Sequence, residues 1–299
     1  MWNAIRELIS TLPVAFRDAY DKYKKDYGVE HPIDRWETCC TLTNRAFEYA
    51  TTLLYVNEYV SEEAMETVGE LFTEIKNQFI NGLKEQDWMD DATRAQAHLK
   101  LDKMRKNIGY PPFIKDPGKL NKFYENVDVS KSQLLQNQLS FIRDNAMKKL
   151  DTLGRLPDDK KYVIPMSSIY IWNTNVRSKN HHIVNSNIVK TQMEATLWFL
   201  ESPLEVNAYY YPPVNGMTVL AGILQPPFYR GDTLKALTYG SLGTIVGHEI
   251  THGFDKQGSQ FDENGNIRSW WTKRSHNNFV KRSKCLIKQY NKVKVYGVQ

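Results

Sequence analysis

A stripe of apolar residues between Ser61 and Gly82 sets the strictest limit on how this chain can fold. Apolar side chains recur there at steps of three and four residues, at Met65, Val68, Phe72, Ile75 and Phe79. Residues at that spacing share one face of an α-helix, and a serine followed by acidic residues is typical of a helix N-cap. We therefore predict a helix over 61–82 whose apolar face packs into a core.

The remainder of the first half shows similar patterns. A helix is predicted to begin near residues 90–91 and to run through Ile108, where a glycine and a proline pair end it. Another is predicted over about 130–153. Together these segments predict a helical N-terminal domain over residues 1–159.

The composition indicates a globular protein with an ordinary core. Of the 299 residues, 41% are hydrophobic and 24% are charged. A chain of this length can bury a stable core without disulfide bonds or structural metal ions. The net charge of +5 is too small for its length to indicate a nucleic-acid partner. No stretch approaches the roughly 18 to 20 apolar residues of a membrane span, and the first residues lack the features of a signal peptide. We therefore expect no nucleic acid and no membrane segment in this chain.

The cysteines alone leave the cellular compartment open. There are three of them, Cys39, Cys40 and Cys285. An odd number fits reduced thiols in a cytosolic protein as well as one disulfide with a cysteine left over. The sequence contains no Asn-x-Ser/Thr acceptor, so glycosylation gives no support for secretion.

The composition changes near residue 157. Residues 160–196 have little helical period and much Asn, Ser, Ile and Val, and we interpret them as an insertion. His181 and His182 lie there, but adjacent residues of a helix or strand point in different directions. We therefore do not predict a metal site at this pair.

A β-hairpin is predicted next. Residues 206–211 are typical of a strand, 212–216 of a turn, and 217–224 of a second strand that a proline pair ends. A helix is expected over 239–254. With the helices of the first half, this predicts a mainly α (α+β) fold with a small sheet near the hairpin.

The end of the chain is strongly basic. After Glu263 there are nine Lys or Arg residues and no Asp or Glu. Trp271, Phe279, Leu286 and Tyr290 recur at a spacing that indicates one more amphipathic helix. We interpret the charges as the solvated face of that helix.

The chemistry-bearing segment is Gly247–Asp255, which contains the pattern His-Glu-x-x-His. On a helix, His248 and His252 lie one turn apart on the same face and can offer imidazole nitrogens to one tetrahedral zinc. Zinc activates a water, and Glu249 is placed to accept its proton during attack on a peptide carbonyl. The residues before the motif are apolar, which predicts a buried helix. Burying two histidines there without a bound partner would cost free energy.

A third protein ligand is not evident. Asp255 and Gly258 occupy the positions at which a longer His-Glu-x-x-His-x-x-Gly-x-x-His motif has its glycine and third histidine. The only later glutamate, Glu263, lies in a segment typical of a turn and is not expected to reach the metal. His276 is the remaining candidate. Catalytic zinc normally has three protein ligands and a water, so two ligands predict weak binding.

Several segments together closely resemble the neprilysin and endothelin-converting-enzyme family of zinc metalloendopeptidases. The matching segments are Val206–Tyr210, Ala221–Tyr229, Gly247–Asp255 and Trp270-Trp271, and earlier Trp36 with Cys39, Asp87–Asp90 and Ile108–Pro111. The resemblance extends over nearly the whole chain except about 160–196. It implies that 1–159 is part of a helical peptidase domain and that 197–299 is the N-terminal part of a thermolysin-like zinc peptidase domain.

The resemblance also implies roles for individual residues. His248 and His252 would bind one Zn²⁺ per chain, and Glu249 would be the catalytic base. Asn207 and Ala208 would bind the backbone of a peptide substrate, and Ile245 would line the pocket for the residue after the cut bond. Members of the family cleave short peptides.

The family resemblance favours an oxidising compartment. It implies an extracellular or cell-surface ectodomain, usually membrane-anchored. It also implies a disulfide between Cys39 and Cys285, with Cys40 left over.

One departure from the family pattern limits the prediction for this chain. The family's third ligand comes from a Glu-x-x-x-Asp segment several dozen residues beyond the second histidine, and these 299 residues end before it. We therefore expect an incomplete, inactive form of a peptidase. The alternatives are a non-catalytic binding protein that keeps the fold, and a chance motif in a helical scaffold.

Overall fold

The computed structural model describes residues 8–29, 33–151 and 201–294. They form two compact units. The first, which we call the helical unit, comprises described residues up to 59 together with 110–151 and 201–204. The second, the sheet unit, comprises 60–109 and 205–294.

Some predictions lie outside the described residues. These are the domain boundaries at 159/160 and 196/197, the insertion at 160–196 and the pair His181-His182. They stay predictions.

The described helices and strands confirm a mainly α fold with a small sheet. The α-helices run over Val14–Asp26 (α1), Arg35–Ala46 (α2), Glu48–Tyr59 (α3), Glu62–Lys84 (α4), Asp91–Asp102 (α5), Pro117–Phe123 (α6), Leu134–Asp151 (α7), Lys235–Thr238 (α8), Thr244–His252 (α9) and Lys273–Tyr290 (α10). The strands are Arg105–Gly109 (β1), Ala208–Tyr211 (β2) and Gly216–Leu220 (β3). Among the described residues, no helix is both long and apolar enough to cross a membrane.

An aromatic cluster holds the helical unit together. The ring of Tyr49, on α3, meets the rings of Phe113 and Phe123 edge-on, each at a centroid distance of 5.0 Å. The backbone N–H of Tyr49 donates to the hydroxyl of Tyr124 at 3.0 Å. Edge-to-face pairs of this kind add to the free energy gained by burial, so these contacts attach α3 to α6.

The predicted helix starts in the sheet unit are confirmed. The Ser61 side chain accepts a hydrogen bond from the N–H of Ala64 and caps α4. Asp90 accepts from the N–H of Thr93 and caps α5. Both caps satisfy N–H groups that a first helical turn leaves without a partner.

The sheet has the strand order β1-β3-β2. The predicted hairpin is confirmed, because β2 pairs antiparallel with β3, with Ala208 opposite Val219. The turn residue Asn215 has a φ of 48° and is buried, and its side-chain amide donates to the carbonyls of Lys100 and Glu263. Asparagine is one of the few residues that tolerates this left-handed conformation.

One helix prediction is wrong at its end. The helix predicted to run through Ile108 stops at Asp102, and β1 follows it and pairs in parallel with β3, with Arg105 opposite Gly216. The apolar spacing of Met104 and Ile108 continues the helical period, but backbone pairing with a strand far along the chain decides the conformation.

The boundaries of other elements also differ from the prediction. The second strand of the hairpin ends at Leu220, and a 3₁₀ turn over Ala221–Ile223 follows it. The helix expected over 239–254 is a π-helical turn, Tyr239–Gly243, followed by α9. The final amphipathic helix is confirmed as α10.

The core of the sheet unit surrounds α9. This helix packs against α4 and against both strands of the hairpin. Val246 and Ile250 are fully buried on its inner face, as is Leu242 in the turn before it. Burial of these three side chains, at roughly 1.5 to 3 kcal/mol each, fixes which face of α9 points outward.

Candidate metal centre

The helix α9 presents its two histidines away from the core. Positions 242, 246 and 250 recur every four residues and lie inside. His248 and His252 share the opposite face, with side chains that are 65% and 43% exposed. The fold thus places both imidazoles one turn apart on one face of the helix, as the sequence predicts, but at the surface of the unit and not in its interior as the apolar residues before the motif indicate.

The two rings face each other closely. The Nε2 atoms of His248 and His252 are 2.9 Å apart, and the ring planes are nearly perpendicular, at 83°. Two nitrogens that bind one tetrahedral zinc at 2.0 to 2.1 Å lie roughly 3.3 Å from each other. The observed spacing differs from that value by a few tenths of an ångström, which small side-chain rotations can supply, so the pair fits a shared zinc ion.

Glu249 completes the cluster. Its side chain is buried, and Oε1 lies 4.0 Å from Nε2 of His248. One ligand atom from each of His248, Glu249 and His252 falls within 4.8 Å of the others. Two neutral imidazoles and a carboxylate are the kinds of donor that zinc prefers, so the chemistry of the group also fits the metal.

Asp255 orients the second histidine. Its Oδ2 lies 2.7 Å from Nδ1 of His252, and its Oδ1 accepts from the N–H groups of Gln257 and Gly258. Partial burial opposes the charge of Asp255, but these hydrogen bonds outweigh it and lower the pKa of the carboxyl below its ordinary value. An ionised Asp255 favours the proton on Nδ1 of His252, which leaves the Nε2 lone pair available for a metal.

The residues predicted to bind substrate lie on and beside the hairpin. Asn207 is exposed, and its backbone carbonyl accepts from the N–H of Leu220. Ala208 is buried and begins β2, the strand at one edge of the sheet. Ile245 is partly buried on α9, against the core. Their roles toward a substrate stay predictions.

Neither additional ligand candidate joins the cluster. Within the described part of the chain, only His248, Glu249 and His252 form a group that could hold a metal. Glu263 instead contacts Arg268, at 3.1 Å. His276 lies exposed on α10. Glu263 therefore lies outside this group, and the expectation that it does not bind the metal stays a prediction.

The three cysteines are free and exposed in the structure. The disulfide between Cys39 and Cys285 therefore stays a prediction that rests on the family resemblance.

Two residues that support the site were not predicted from the sequence. Asp255 follows His252 at a three-residue step, a spacing that could have indicated a side-chain pair. Lys100 is 1% exposed and lies against the loop that follows α9. Its position within the apolar repeat of Ala97, Leu101 and Met104 was the available signal that this lysine is buried.

Comparison with known proteins identifies the family. Two family models described as peptidase family M13 match this chain, one over residues 1–111 and the other over residues 207–297. Endothelin-converting enzyme 1 of Rattus norvegicus is 31% identical over 99% of this chain and 34% of its own length. Neprilysin-11 of Caenorhabditis elegans is 31% identical over 97% of this chain and 30% of its own length.

Solved structures agree with the sequence relatives. The zinc metalloprotease ZMP1 of Mycobacterium tuberculosis, in complex with an inhibitor, superposes with a TM-score of 0.75 at 27% identity, over 98% of this chain and 38% of that one. The chain thus spans about a third of the length of the curated relatives it matches. Two family models, long relatives at 31% identity and a shared fold all agree, and the chain belongs to peptidase family M13.

Proposed function

We propose that this chain is part of a zinc-dependent metalloendopeptidase that hydrolyses peptide bonds in short peptides. The observation that carries the proposal is the cluster on one turn of α9, where ligand atoms of His248, Glu249 and His252 lie within 4.8 Å of one another. Membership of family M13 supports the same reaction class. The edge strand β2 packs against α9, and an edge strand can hold an extended peptide by backbone pairing.

The two histidines would hold the zinc ion. Both would reach it through Nε2, and the contact of Nδ1 of His252 with Asp255 would favour the tautomer whose Nε2 carries the free lone pair. When bound, zinc lowers the pKa of water toward 7 and polarises a carbonyl group.

Glu249 would act as the general base. Its side chain is buried, and its Oε1 lies 4.0 Å from Nε2 of His248. A carboxylate at this place can accept a proton from an attacking water and later deliver it to the leaving amine. Glu249→Gln would keep the shape of the side chain and remove the base.

The hairpin would position the substrate. Asn207 would bind the peptide backbone through its side-chain amide, and Ala208 through its carbonyl at the start of the edge strand β2. Ile245, partly buried on α9, would line the pocket for the residue after the cut bond. An Asn207→Ala variant is expected to raise KM for a peptide, and an unchanged KM would contradict this role.

The 299-residue chain on its own is proposed to be inactive. Glu249 cannot serve both as base and as third ligand, which leaves two imidazoles within the described residues. Catalytic zinc normally uses three protein ligands. Hydrolysis of a quenched fluorescent peptide with added zinc tests this proposal. Chelator-sensitive turnover that disappears in Glu249→Gln would show that the chain is active by itself.

A non-catalytic binding protein is the second candidate. It is favoured because the described residues supply two imidazoles, where catalytic zinc normally has three protein ligands. Elemental analysis separates the two candidates, since a peptidase site should retain up to one zinc per chain and lose it in His248→Ala. A protein that carries no zinc under any condition, yet binds peptides, would favour the second candidate.

We also propose an extracellular or cell-surface location with a Cys39–Cys285 disulfide. The support is the family resemblance, because disulfides persist in oxidising compartments. Mass spectrometry of unreduced peptides from the natively expressed protein would detect the pair. Complete alkylation of Cys39 and Cys285 without prior reduction would contradict it.

A further inference from the structure

The loop that follows α9 closes around a single buried ammonium group. Lys100, on α5, is 1% exposed, and its Nζ donates to three backbone carbonyls. These belong to Gly253 at 2.6 Å, Gly258 at 2.7 Å and Phe261 at 2.7 Å. A buried charge is costly unless it is hydrogen-bonded, and here all three N–H donors of the ammonium have an acceptor.

The first of these carbonyls belongs to the end of the metal-binding helix. Gly253 directly follows His252, and the last carbonyls of an α-helix have no partner within the helix. A cation at this end also interacts favourably with the helix dipole. Lys100 therefore fixes the turn at which α9 ends, one residue after a proposed zinc ligand.

The other two carbonyls fix the return of the loop. Gly258 approaches α9 so closely that a Cβ added to it would lie 1.9 Å from the carbonyl oxygen of His252. The N–H of the same Gly258 donates to Asp255 at 2.7 Å. Phe261 accepts a second hydrogen bond, from the indole of Trp270 at 3.0 Å. The loop is thus held on both sides of Asp255.

Resting on the proposed function, we propose that Lys100 is a positioning residue for the metal centre. By holding the carbonyls of Gly253, Gly258 and Phe261, it sets the course of the loop that carries Asp255. Asp255 in turn sets the tautomer and the ring orientation of His252, 2.7 Å away. None of the three hydrogen bonds of Lys100 goes to a histidine, so it acts through the loop and the carboxylate.

The test compares three forms of the full 299-residue chain: wild type, Lys100→Met and Leu101→Ala. Methionine keeps most of the length of the side chain and removes the ammonium. Leu101 neighbours Lys100 on the same helix and is fully buried, so its truncation destabilises the unit while leaving the ammonium in place. Lys100→Gln is measured in parallel in case the methionine variant does not fold. All measurements are made at a temperature where circular dichroism shows each variant folded.

The first measurement needs no metal. In ¹⁵N-histidine-labelled protein, with the His252 signal assigned by its loss in His252→Gln, the proton is expected on Nδ1 in wild type and in Leu101→Ala. In Lys100→Met and Lys100→Gln we expect a mixture of tautomers. A His252 tautomer that is unchanged in the Lys100 variants would overturn the proposal.

The second measurement is the affinity for Zn²⁺, with Co²⁺ absorption as a spectroscopic check. Changing a partner of a metal-binding histidine typically weakens metal binding about 10- to 100-fold, and we expect a loss in that range for the Lys100 variants. Leu101→Ala should stay within about twofold of wild type. An equal loss in Leu101→Ala would show that the effect of Lys100 is one of general stability and would overturn the positioning role.

The two measurements keep this inference separate from the proposed function. If wild type binds no more Zn²⁺ than His248→Ala while the tautomer responds to Lys100, the metal centre fails and the positioning of His252 stands. If wild type binds Zn²⁺ and neither readout responds to Lys100, the metal centre stands and the role of Lys100 is refuted.

Discussion

The helices α9 and α10 of the sheet unit are held in opposite ways. α9 has nine residues and no side-chain cap, and it buries Val246 and Ile250 completely. α10 has 18 residues, and Ser275 is the one described residue that it buries. Its apolar residues Leu286 and Ile287 are each 59% exposed. The short helix is fixed along its whole inner face and the long one mainly over its N-terminal half.

The first turn of α10 is attached by a pair of linked caps. Thr272 caps α10 by accepting from the N–H of Ser275 at 3.2 Å, and its hydroxyl donates to Asp90, the cap of α5. The N–H of Asp90 donates back to the hydroxyl of Ser275 at 2.9 Å. The hydrogen bond from Thr272, above all, lowers the pKa of Asp90 to about 2.

This difference indicates where function depends on the fold. Ligands that must meet at one metal ion require a helix whose rotation is fixed, and burial of an entire face provides that. A capped helix with an exposed face can vary along its length without moving its first turn. We therefore expect changes on α9 to affect the metal centre and changes on α10 to affect mainly local stability.

The largest expected effect is on Zn²⁺ affinity, and it distinguishes a histidine on α9 from one on α10. His252→Ala removes a proposed ligand and should reduce Zn²⁺ affinity by more than the roughly 100-fold that loss of a ligand's partner can cost. His276→Ala on α10 should leave the affinity unchanged, because His276 does not belong to the cluster. Competition with a zinc-binding dye measures both variants. An equal loss in the two would contradict the assignment of the metal centre to α9.

A pair of isoleucines tests the comparison through stability. Ile250→Ala, on α9, empties a fully buried position and should lower the free energy of unfolding by about 2 to 5 kcal/mol. Ile287→Ala, on α10, changes a side chain that is 59% exposed and should cost less than about 0.5 kcal/mol. Urea denaturation of both variants gives the two values. Similar costs would mean that α10 is as firmly packed as α9.

Lys100 gives the end of α9 a dependence on pH. Burial lowers the pKa of its ammonium from 10.5 to about 8, although Asp262 and Asp255 raise it in part. Between those two pH values the unfolded chain binds more protons than the folded one, so the free energy of unfolding should rise with pH. The difference between 10.5 and about 8 sets an upper limit of roughly 3 to 4 kcal/mol on this rise.

The control for this prediction is Lys100→Met. It should lose the rise between pH 8 and pH 10.5, since methionine does not titrate. Denaturation midpoints at half-unit steps of pH compare the two proteins. Parallel curves for wild type and variant would show that Lys100 titrates normally.

The smallest expected effect is the loss of the cap of α10. Thr272→Ala should lower the free energy of unfolding by about 1 kcal/mol and should raise the pKa of Asp90, because its largest stabilising hydrogen bond is gone. Thr251→Ala on α9 is the matched control, since its exposed hydroxyl bonds only to the carbonyl of Gly247. Carbon-detected NMR of Asp90 during an acid titration measures the shift, and a pKa that stays near 2 would refute the role of Thr272.

The sequence was sufficient for elements that local chemistry decides. The Ser61 cap, the start at Asp91, the hairpin and α10 all follow from periodicity and turn residues within a few positions of each other. The four-residue spacing of His248 and His252 likewise specifies a shared helical face, because it matches one turn of an α-helix.

Two features could not be predicted because distant residues decide them. β1 continues a helical apolar pattern, and only its pairing with β3, more than 100 positions later, makes it a strand. The apolar repeat around Lys100 indicates an inward position, but the three carbonyls that accept from its ammonium lie more than 150 positions away. Pattern within one segment carries no information about such partners.

The parallel pairing of β1 with β3 has a practical consequence for anyone who wishes to trim this protein. A piece that begins at the hairpin would keep β2 and α9 but would leave the five-residue strand Gly216–Leu220 without the neighbour supplied by Arg105–Gly109. Every residue of that strand is buried. Its bared edge would be a template for pairing with other copies, so a minimal version of the metal centre must include the segment around residue 105.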